Sequence, residues 1–333
     1  MQKTISFGNF FIMAFKNIVL FLTLFFFVMS CVENRIFIQM HPNMQTYFKF
    51  ESRGDSLDIF NDDFIHPRNL PGLQSSKLLL VDQDEKNWSI KTEGVFQDTA
   101  IIFHPTDSEP LGYSYKQSIT HSWFSKEYNF NLKFNGRYTK NEYPKLYNAI
   151  LSEKHDSLYW LPEAIIIIMK KGLDDLDEEE NSGNQDLWNR RLVNHLKSSL
   201  KRTTTVEDLQ HIQNNREIFL TDLLNPFSLE PSFISRLAKK MEKHEKILKA
   251  TIDLNDDSFL IKAVLPGQTI YTNATSINHD TLIWDFGLDS LLSDTYQLDA
   301  VSILYTTDQL ENYLIYVGIV LVSLLTIWLR TRP

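Results

Sequence analysis

The chain has almost no cysteine: Cys31 is the only one in 333 residues. That excludes a disulfide framework and any zinc site built on thiolate pairs. It does not exclude export, because a chain of this length can bury a core without cross-links. Glycine is scarce too, at 11. No phosphate-cradling loop and no Gly-x-Ser-x-Gly elbow occurs, which removes the nucleotide folds and hydrolases that depend on them. Positive charge is in deficit, with 33 Lys and Arg against 42 Asp and Glu and a formal net charge of −9. Without a basic footprint, wholesale nucleic-acid binding is excluded, and the globular part has little attraction for anionic lipid.

What the chain has in plenty is apolar sequence at both ends. Behind Lys16, residues 18–30 form an almost unbroken apolar run that ends at Cys31. A short basic region, an apolar stretch and a small residue before a cut site make a secretory signal, here residues 1–30. Met13 is an alternative start to Met1, since Lys16 then gives a compact basic region. Val28-Met29-Ser30-Cys31 resembles the lipobox of bacterial lipoproteins. The resemblance implies cleavage between Ser30 and Cys31 and a thioether-linked diacylglycerol on Cys31. An ordinary signal peptide with an incidental cysteine is the other reading.

At the C-terminus, residues 313–329 carry no charge, and Arg330 and Arg332 follow in a tail of 330–333. A helix of 17 residues is at the lower limit for crossing about 30 Å of hydrocarbon. Tyr313, Tyr316 and Trp328 stand at its ends, where amphipathic rings prefer the interface. The arginines place this end in the cytoplasm by the positive-inside rule. A helical span belongs to the cytoplasmic membrane, so the expected location is that membrane, with the main domain on the extracytoplasmic, periplasmic side. The lipid is then not needed for retention, and its expected effect is to hold the N-terminal edge of the domain near the bilayer.

Between the ends, 36–41 and 44–50 alternate apolar and polar residues around His41-Pro42-Asn43, which reads as a β-hairpin. Strand-like runs follow at 77–81, 94–104 and 113–133, with period-two alternation in 121–124 and 128–134. From Tyr143 the pattern turns helical, at 146–151, 162–171, 187–200, 206–224 and 232–250. Pro162 suits a first helical turn, Thr205-Val206-Glu207-Asp208 resembles a capping box, and Asn225-Pro226 ends a helix. Ile165 to Ile168 are four isoleucines in a row, which expects near-complete burial, with a buried strand as the alternative. Strands return at 253–265, 269–274, 282–286 and 298–304, with Asn278-His279-Asp280 as a turn. The expected fold is α+β: an antiparallel sheet built from N- and C-terminal strands (31–140 and 251–305) with a helical insertion at 141–250. Leu265-Pro266-Gly267, Thr272-Asn273-Ala274 and Leu282-Ile283-Trp284-Asp285-Phe286, ahead of the C-terminal apolar segment, resemble the end of certain uncharacterised bacterial envelope lipoproteins. That resemblance implies a β-rich exported domain and a membrane-spanning tail, and no catalytic residue. Pro-Gly makes a turn, and Trp284 suits a half-buried strand.

Candidate sites are few. The acidic stretch 174–183 lacks the alternating ligands and closing glutamate of a calcium loop and reads as a solvated loop between helices. The nine histidines, His41, His66, His104, His121, His155, His195, His211, His244 and His279, form no ligand pair around a glutamate, so no metal and no cofactor is expected. Ser122 follows His121 without a nucleophile elbow, so no catalytic residue is named. Asn87-Trp88-Ser89 and Asn273-Ala274-Thr275 match the N-glycosylation pattern, which matters only for a eukaryotic chain. Arg236, Lys239, Lys240, Lys243, Lys246 and Lys249 line a helix interleaved with Phe233, Leu237, Met241 and Leu248. Such a basic amphipathic helix contacts anionic lipid or a partner, or is simply a solvated face over a core stripe. Two functions stay open: a non-catalytic envelope lipoprotein that binds a protein, lipid or glycan, and an envelope hydrolase whose site the fold assembles. A lipid-sized apolar cavity favours the first; a deep pocket with converging carboxylates or histidines favours the second.

Overall fold

The computed structural model describes residues 32–56, 59–60, 64, 66–67, 72–82, 85–96, 100–103, 111–154, 157–180, 186–200 and 216–331. The signal segment with Ser30 and Cys31, the capping box at 205–208, His104, His155, His211 and Arg332 lie outside the described residues.

Alternation does what period two requires. In β1 (Glu33–Met40), β2 (Thr46–Gly54) and β7 (Ser125–Phe134), every second side chain is buried. The hairpin around His41-Pro42-Asn43 forms as expected, with Met40 opposite Thr46. The remaining strands are β3 (Leu73–Asp82), β4 (Glu85–Phe96), β5 (Ala100–Phe103), β6 (Tyr113–His121), β8 (Ser258–Val264), β9 (Gln268–Thr272), β10 (Ser276–Asn278), β11 (Thr281–Gly287) and β12 (Tyr296–Tyr305). They form two sheets, of order β10-β11-β8-β1-β2-β4-β3 and β5-β6-β7-β12-β9. Both sheets join N- and C-terminal chain: β1 lies parallel to β8, and β7 pairs antiparallel with β12. The fold is α+β and mostly antiparallel, but the single sheet expected from the sequence is two.

The run expected as one strand at 94–104 is divided between those sheets, because β4 ends at Phe96 and β5 begins at Ala100. The alternation read through 121–124 also breaks: β6 stops at His121, and the Ser122 N–H donates to the Ser125 carbonyl at 2.8 Å, closing a hairpin tip. Asp253 is helical, and its strand starts at Ser258.

The inner faces of the sheets meet ring to ring. Phe48 meets Tyr115 at 5.8 Å, Phe50 meets Tyr113 at 5.5 Å, and Phe134 meets Phe286 at 5.4 Å between centroids. Trp284 is fully buried and not half-buried, and lies stacked on Phe130. These contacts also align the sheets end to end. Phe134 is level with Phe259 and Phe286, hence with the start of β1, where the Ser258 N–H donates to the Val32 carbonyl. Along the β7–β12 ladder Phe134 faces Tyr296, while Ser125 faces Tyr305 at the other end. Nine residue steps of strand separate those ends, about 30 Å. The chain therefore enters the sandwich at one end and leaves it at the other.

A polar chain crosses the first sheet inside this apolar surround. Asn34 Nδ2 donates to Asp257 Oδ2 at 2.8 Å, and Ser52 Oγ donates to Asn34 Oδ1. His66 Nε2 is 2.8 Å from Ser52 Oγ, and His66 Nδ1 is 3.1 Å from Thr92 Oγ1. With the Ser52 proton directed at Asn34, His66 Nε2–H is the donor to Ser52. Polar groups at this depth are tolerated because each is bonded. Ser52→Ala removes the middle of the chain, and the expected loss is about 1–3 kcal/mol in denaturant titration. An unchanged midpoint would show that the chain contributes nothing to stability.

Helices lie between β7 and β8: the single turn α1 (Thr139–Glu142), then α2 (Pro144–Leu151), α3 (Leu161–Glu180), α4 (Asp186–Leu200), α5 (Arg216–Leu224) and α6 (Pro231–Asp253). The four isoleucines are helical, with Ile165 and Ile168 buried and Ile166 and Ile167 half-buried. The acidic stretch is a correction: 174–180 is the last part of α3, not a loop. Buried Met169, Leu173 and Leu176 carry the helical spacing through it. Its carboxylates reach neighbours, Asp175 to His244 at 3.0 Å and Asp177 to Asn189 at 2.6 Å. Gly172 lets α6 come close, since a β-carbon there would stand 3.0 Å from Met241 Cγ. α6 is pinned to the sandwich by Arg137, which donates to Thr251 Oγ1 and to the Ile247 carbonyl, each at 2.8 Å. Arg137 follows β7, so this end of α6 lies at the Phe134 end. From the Tyr305 end, α7 (Thr307–Thr331) leaves the sandwich. Its 18-residue stretch Tyr313–Arg330 has mean hydropathy 2.0 and none of it is buried, so it is long and apolar enough to cross a membrane.

Candidate functional site: an apolar cavity among the helices

Where α3, α5 and α6 converge they leave a cavity of about 300 Å³. Its walls come from short helical periods in separate stretches of chain. The turn before α3 gives Leu158 and Trp160, with Leu158 held at φ 53°. α3 gives Leu161, Ile165 and Ile168, three to four residues apart and so on one face. α6 gives Met241, Leu248 and Ile252, and α5 gives Phe219.

Four charged residues complete the lining: Arg216, Glu245, Lys249 and Asp253. Arg216 forms an ion pair with Glu245. Burial lowers the pKa of the Arg216 guanidinium, and the nearby Glu242 carboxylate works against that shift. Burial raises the pKa of the Asp253 carboxyl from its ordinary value; Lys249 opposes this and Asp256 adds to it. The arrangement is an apolar pocket with a few charges of both signs, which is how proteins hold the apolar part of a small amphiphile. Its volume is at the lower end of the roughly 300–1,000 Å³ usual for such sites.

Two carboxylates, Glu245 and Asp253, line the cavity, and no serine or histidine is among its described lining residues. Among the described residues, Ser52 and His66 bring a hydroxyl and an imidazole together in the polar chain of the sandwich. Each is only 4% exposed, so no substrate reaches them, and the second ring nitrogen faces the Thr92 hydroxyl. Among the described residues no group of three His, Cys, Asp or Glu side chains is placed to hold a metal ion.

No protein-family model and no curated protein matches the sequence. In fold it is distantly similar to the folded domain of LppM from Mycobacterium tuberculosis, solved by NMR. That likeness has a TM-score of 0.29 at 6% identity, over 84% of this chain and 94% of the other. A similarity of that degree carries no weight for what this chain does.

The basic residues read from the sequence do share α6. Arg236, Lys239, Lys243 and Lys246 are exposed and Lys240 is half-buried, while Ile234, Leu237, Ala238, Met241 and Leu248 face the core. Lys246 pairs with Glu242 one turn away, at 2.9 Å. Lys249 stands apart from this stripe by lining the cavity. Ile165, Ile168, Met241, Leu248 and Lys249 stand out in the sequence, but not as one cavity, because they meet only when three helices and a turn are assembled.

Proposed function

We propose that this chain is a membrane-anchored, non-catalytic binding protein of the cell envelope whose cavity takes the apolar part of an amphiphilic ligand. The observation that carries the reading is the cavity itself: apolar walls from four chain segments, with Arg216, Glu245, Lys249 and Asp253 to meet a polar head. In this reading α7 crosses the cytoplasmic membrane with Arg330 and Arg332 on the cytoplasmic side, and the sandwich stands on the extracytoplasmic side. The signal segment is cut between Ser30 and Cys31, and α7 is the membrane anchor. The lipobox resemblance, the apolar stretch of α7 and its flanking arginines support this topology. The cavity then faces away from the bilayer, since Ile252 and Asp253 belong to the end of α6 that Arg137 fixes at the far end of the sandwich. The same geometry holds Lys246 and Lys249 away from the lipid, so the exposed face of α6 is offered to an envelope partner.

The test uses the purified full chain and a dansyl-labelled fatty acid as probe. Ile168→Trp places a larger side chain in the cavity, and Ile168→Leu conserves its volume. The expected result is at least a tenfold loss of affinity for the tryptophan variant, about 1.4 kcal/mol, with the leucine variant near wild type. Equal binding by both variants, with unchanged circular dichroism, rules the cavity out as the site.

A further inference from the structure

The end of the sandwich from which α7 departs carries an exposed aromatic cluster. Trp123 is 68% exposed, Phe124 45% and Tyr305 71%. Large apolar rings gathered on one surface mark an interaction site more often than chance exposure. Trp123 and Phe124 occupy the β6–β7 tip, and Tyr305 closes β12 directly opposite Ser125.

The cluster is fixed to the base of α7 twice. The Thr306 N–H donates to the Phe124 carbonyl at 3.0 Å, immediately before the helix starts. The Trp123 ring stacks on Tyr313, with centroids 5.4 Å apart and planes at 21°, and Phe124 meets the same ring edge-on at 6.0 Å. Tyr313 is the first residue of the apolar stretch, which ends at Arg330. At about 1.5 Å per residue that stretch spans about 27 Å, close to the thickness of the hydrocarbon layer. Its two ends therefore mark the two boundaries, and Trp123 stands at the boundary with Tyr313.

We propose that the β6–β7 tip is a lipid-contact surface, in which Trp123, Phe124 and Tyr305 enter the headgroup layer around α7 and seat the sandwich end-on. This rests on reading α7 as membrane-spanning. Tryptophan and tyrosine favour that layer because the ring is apolar and its N–H or O–H stays hydrated. An end-on seat also holds Val32 about 30 Å from the bilayer along the strands. A lipid on Cys31 would reach the leaflet that α7 enters only if the sandwich tipped over, so the seat opposes the close approach of the N-terminal edge expected from the sequence.

The experiment reconstitutes the full chain in vesicles of phosphatidylethanolamine and phosphatidylglycerol, with single nitroxide labels in a Cys31→Ser background. Labels are placed through Trp123→Cys and Phe124→Cys, with Leu187→Cys on α4 as the solvent reference and Val320→Cys as the mid-helix reference. Collision rates with oxygen and with a water-soluble nickel chelate are read at each. The expected result is nickel access several-fold lower at 123 and 124 than at 187, and lowest at 320. If 320 is shielded while 123 and 124 match 187, the lipid seat is overturned and the spanning helix stands. If 320 is itself open to nickel, both are overturned. Shielding of 123 and 124 in native membranes but not in the vesicles would assign the tip to a protein partner and overturn the lipid seat.

Discussion

Raising the pH from 9 to 11 should cost this protein about 4 kcal/mol of folding stability, far more than an ordinary domain loses over that range. The cause is buried phenols. Tyr113 and Tyr115 are 2% and 0% exposed between the sheets, and Tyr143 is 5% exposed where the helices begin. Burial pushes all three well above the ordinary phenol value; a hydrogen bond with Thr46 eases the shift at Tyr115, and the Glu142 charge adds to it at Tyr143. A folded-state pKa raised above the unfolded value contributes stability that is complete below the unfolded pKa and is lost as pH rises. Between about pH 10 and pH 11 the unfolded chain releases three protons that the folded chain keeps, each worth about 1.4 kcal/mol per pH unit. Tyr128 and Tyr296 are shifted upward by burial as well and act in the same direction. Against a total of roughly 5–15 kcal/mol, such a loss brings the domain near its unfolding limit. Denaturant titrations of the full chain in detergent at stepped pH values measure it. Tyr113→Phe should return about 1.4 kcal/mol of the difference at pH 11. Stability that stays level to pH 11, or tyrosinate absorbance that appears at pH 10 in the folded protein, would refute it.

The parts of this fold that local chemistry dictates were legible in the sequence. The alternation on either side of His41-Pro42-Asn43 made the β1–β2 hairpin, Pro162 opened a helix near its start, and Asn278-His279-Asp280 became a turn with His279 at φ 54°. What escaped depends on residues far apart in the chain. The run 94–104 is strand-like in composition, but no local feature says that β4 and β5 belong to different sheets. The parallel pairing of β1 with β8 joins Glu33 to Ser258, and nothing near either residue announces it. The acidic stretch 174–183 reads as a loop by its charge, yet the spacing of buried Leu173 and Leu176 keeps 174–180 helical. The apolar segments at both ends are legible in the sequence, but that Val32 and Tyr305 lie at opposite ends of the sandwich follows only from the direction of β1 and β12. Trp123 was legible as an aromatic residue and not as a surface, because its exposure comes from the turn that ends β6.

Trp284 is where the two chain halves are held together, and Trp284→Ala should cost about 3–5 kcal/mol. Its ring stacks on Phe130 of the other sheet at 5.6 Å and 19°, so β11 and β7 are joined through one side chain. Its Nε1–H donates to Asn273 Oδ1 at 2.9 Å, and the same oxygen accepts the Asp299 N–H at 2.8 Å. Asn273 lies after β9 and Asp299 in β12, so the indole also fixes the edge of the second sheet. Truncation to alanine removes the stack and the hydrogen bond and leaves a large void. Trp284→Phe keeps most of the stack and loses the donor, with an expected cost of about 1–3 kcal/mol. Asn273 still accepts from Asp299 in that variant, which limits the loss. The order alanine, phenylalanine, wild type in denaturant midpoint is what a buried indole bridging two sheets requires. If alanine and phenylalanine prove equally mild, Trp284 lies at a surface, and the face-to-face packing of the sheets is wrong. If phenylalanine costs as much as alanine at several kcal/mol, the hydrogen bond to Asn273 carries the contact and the stack does little.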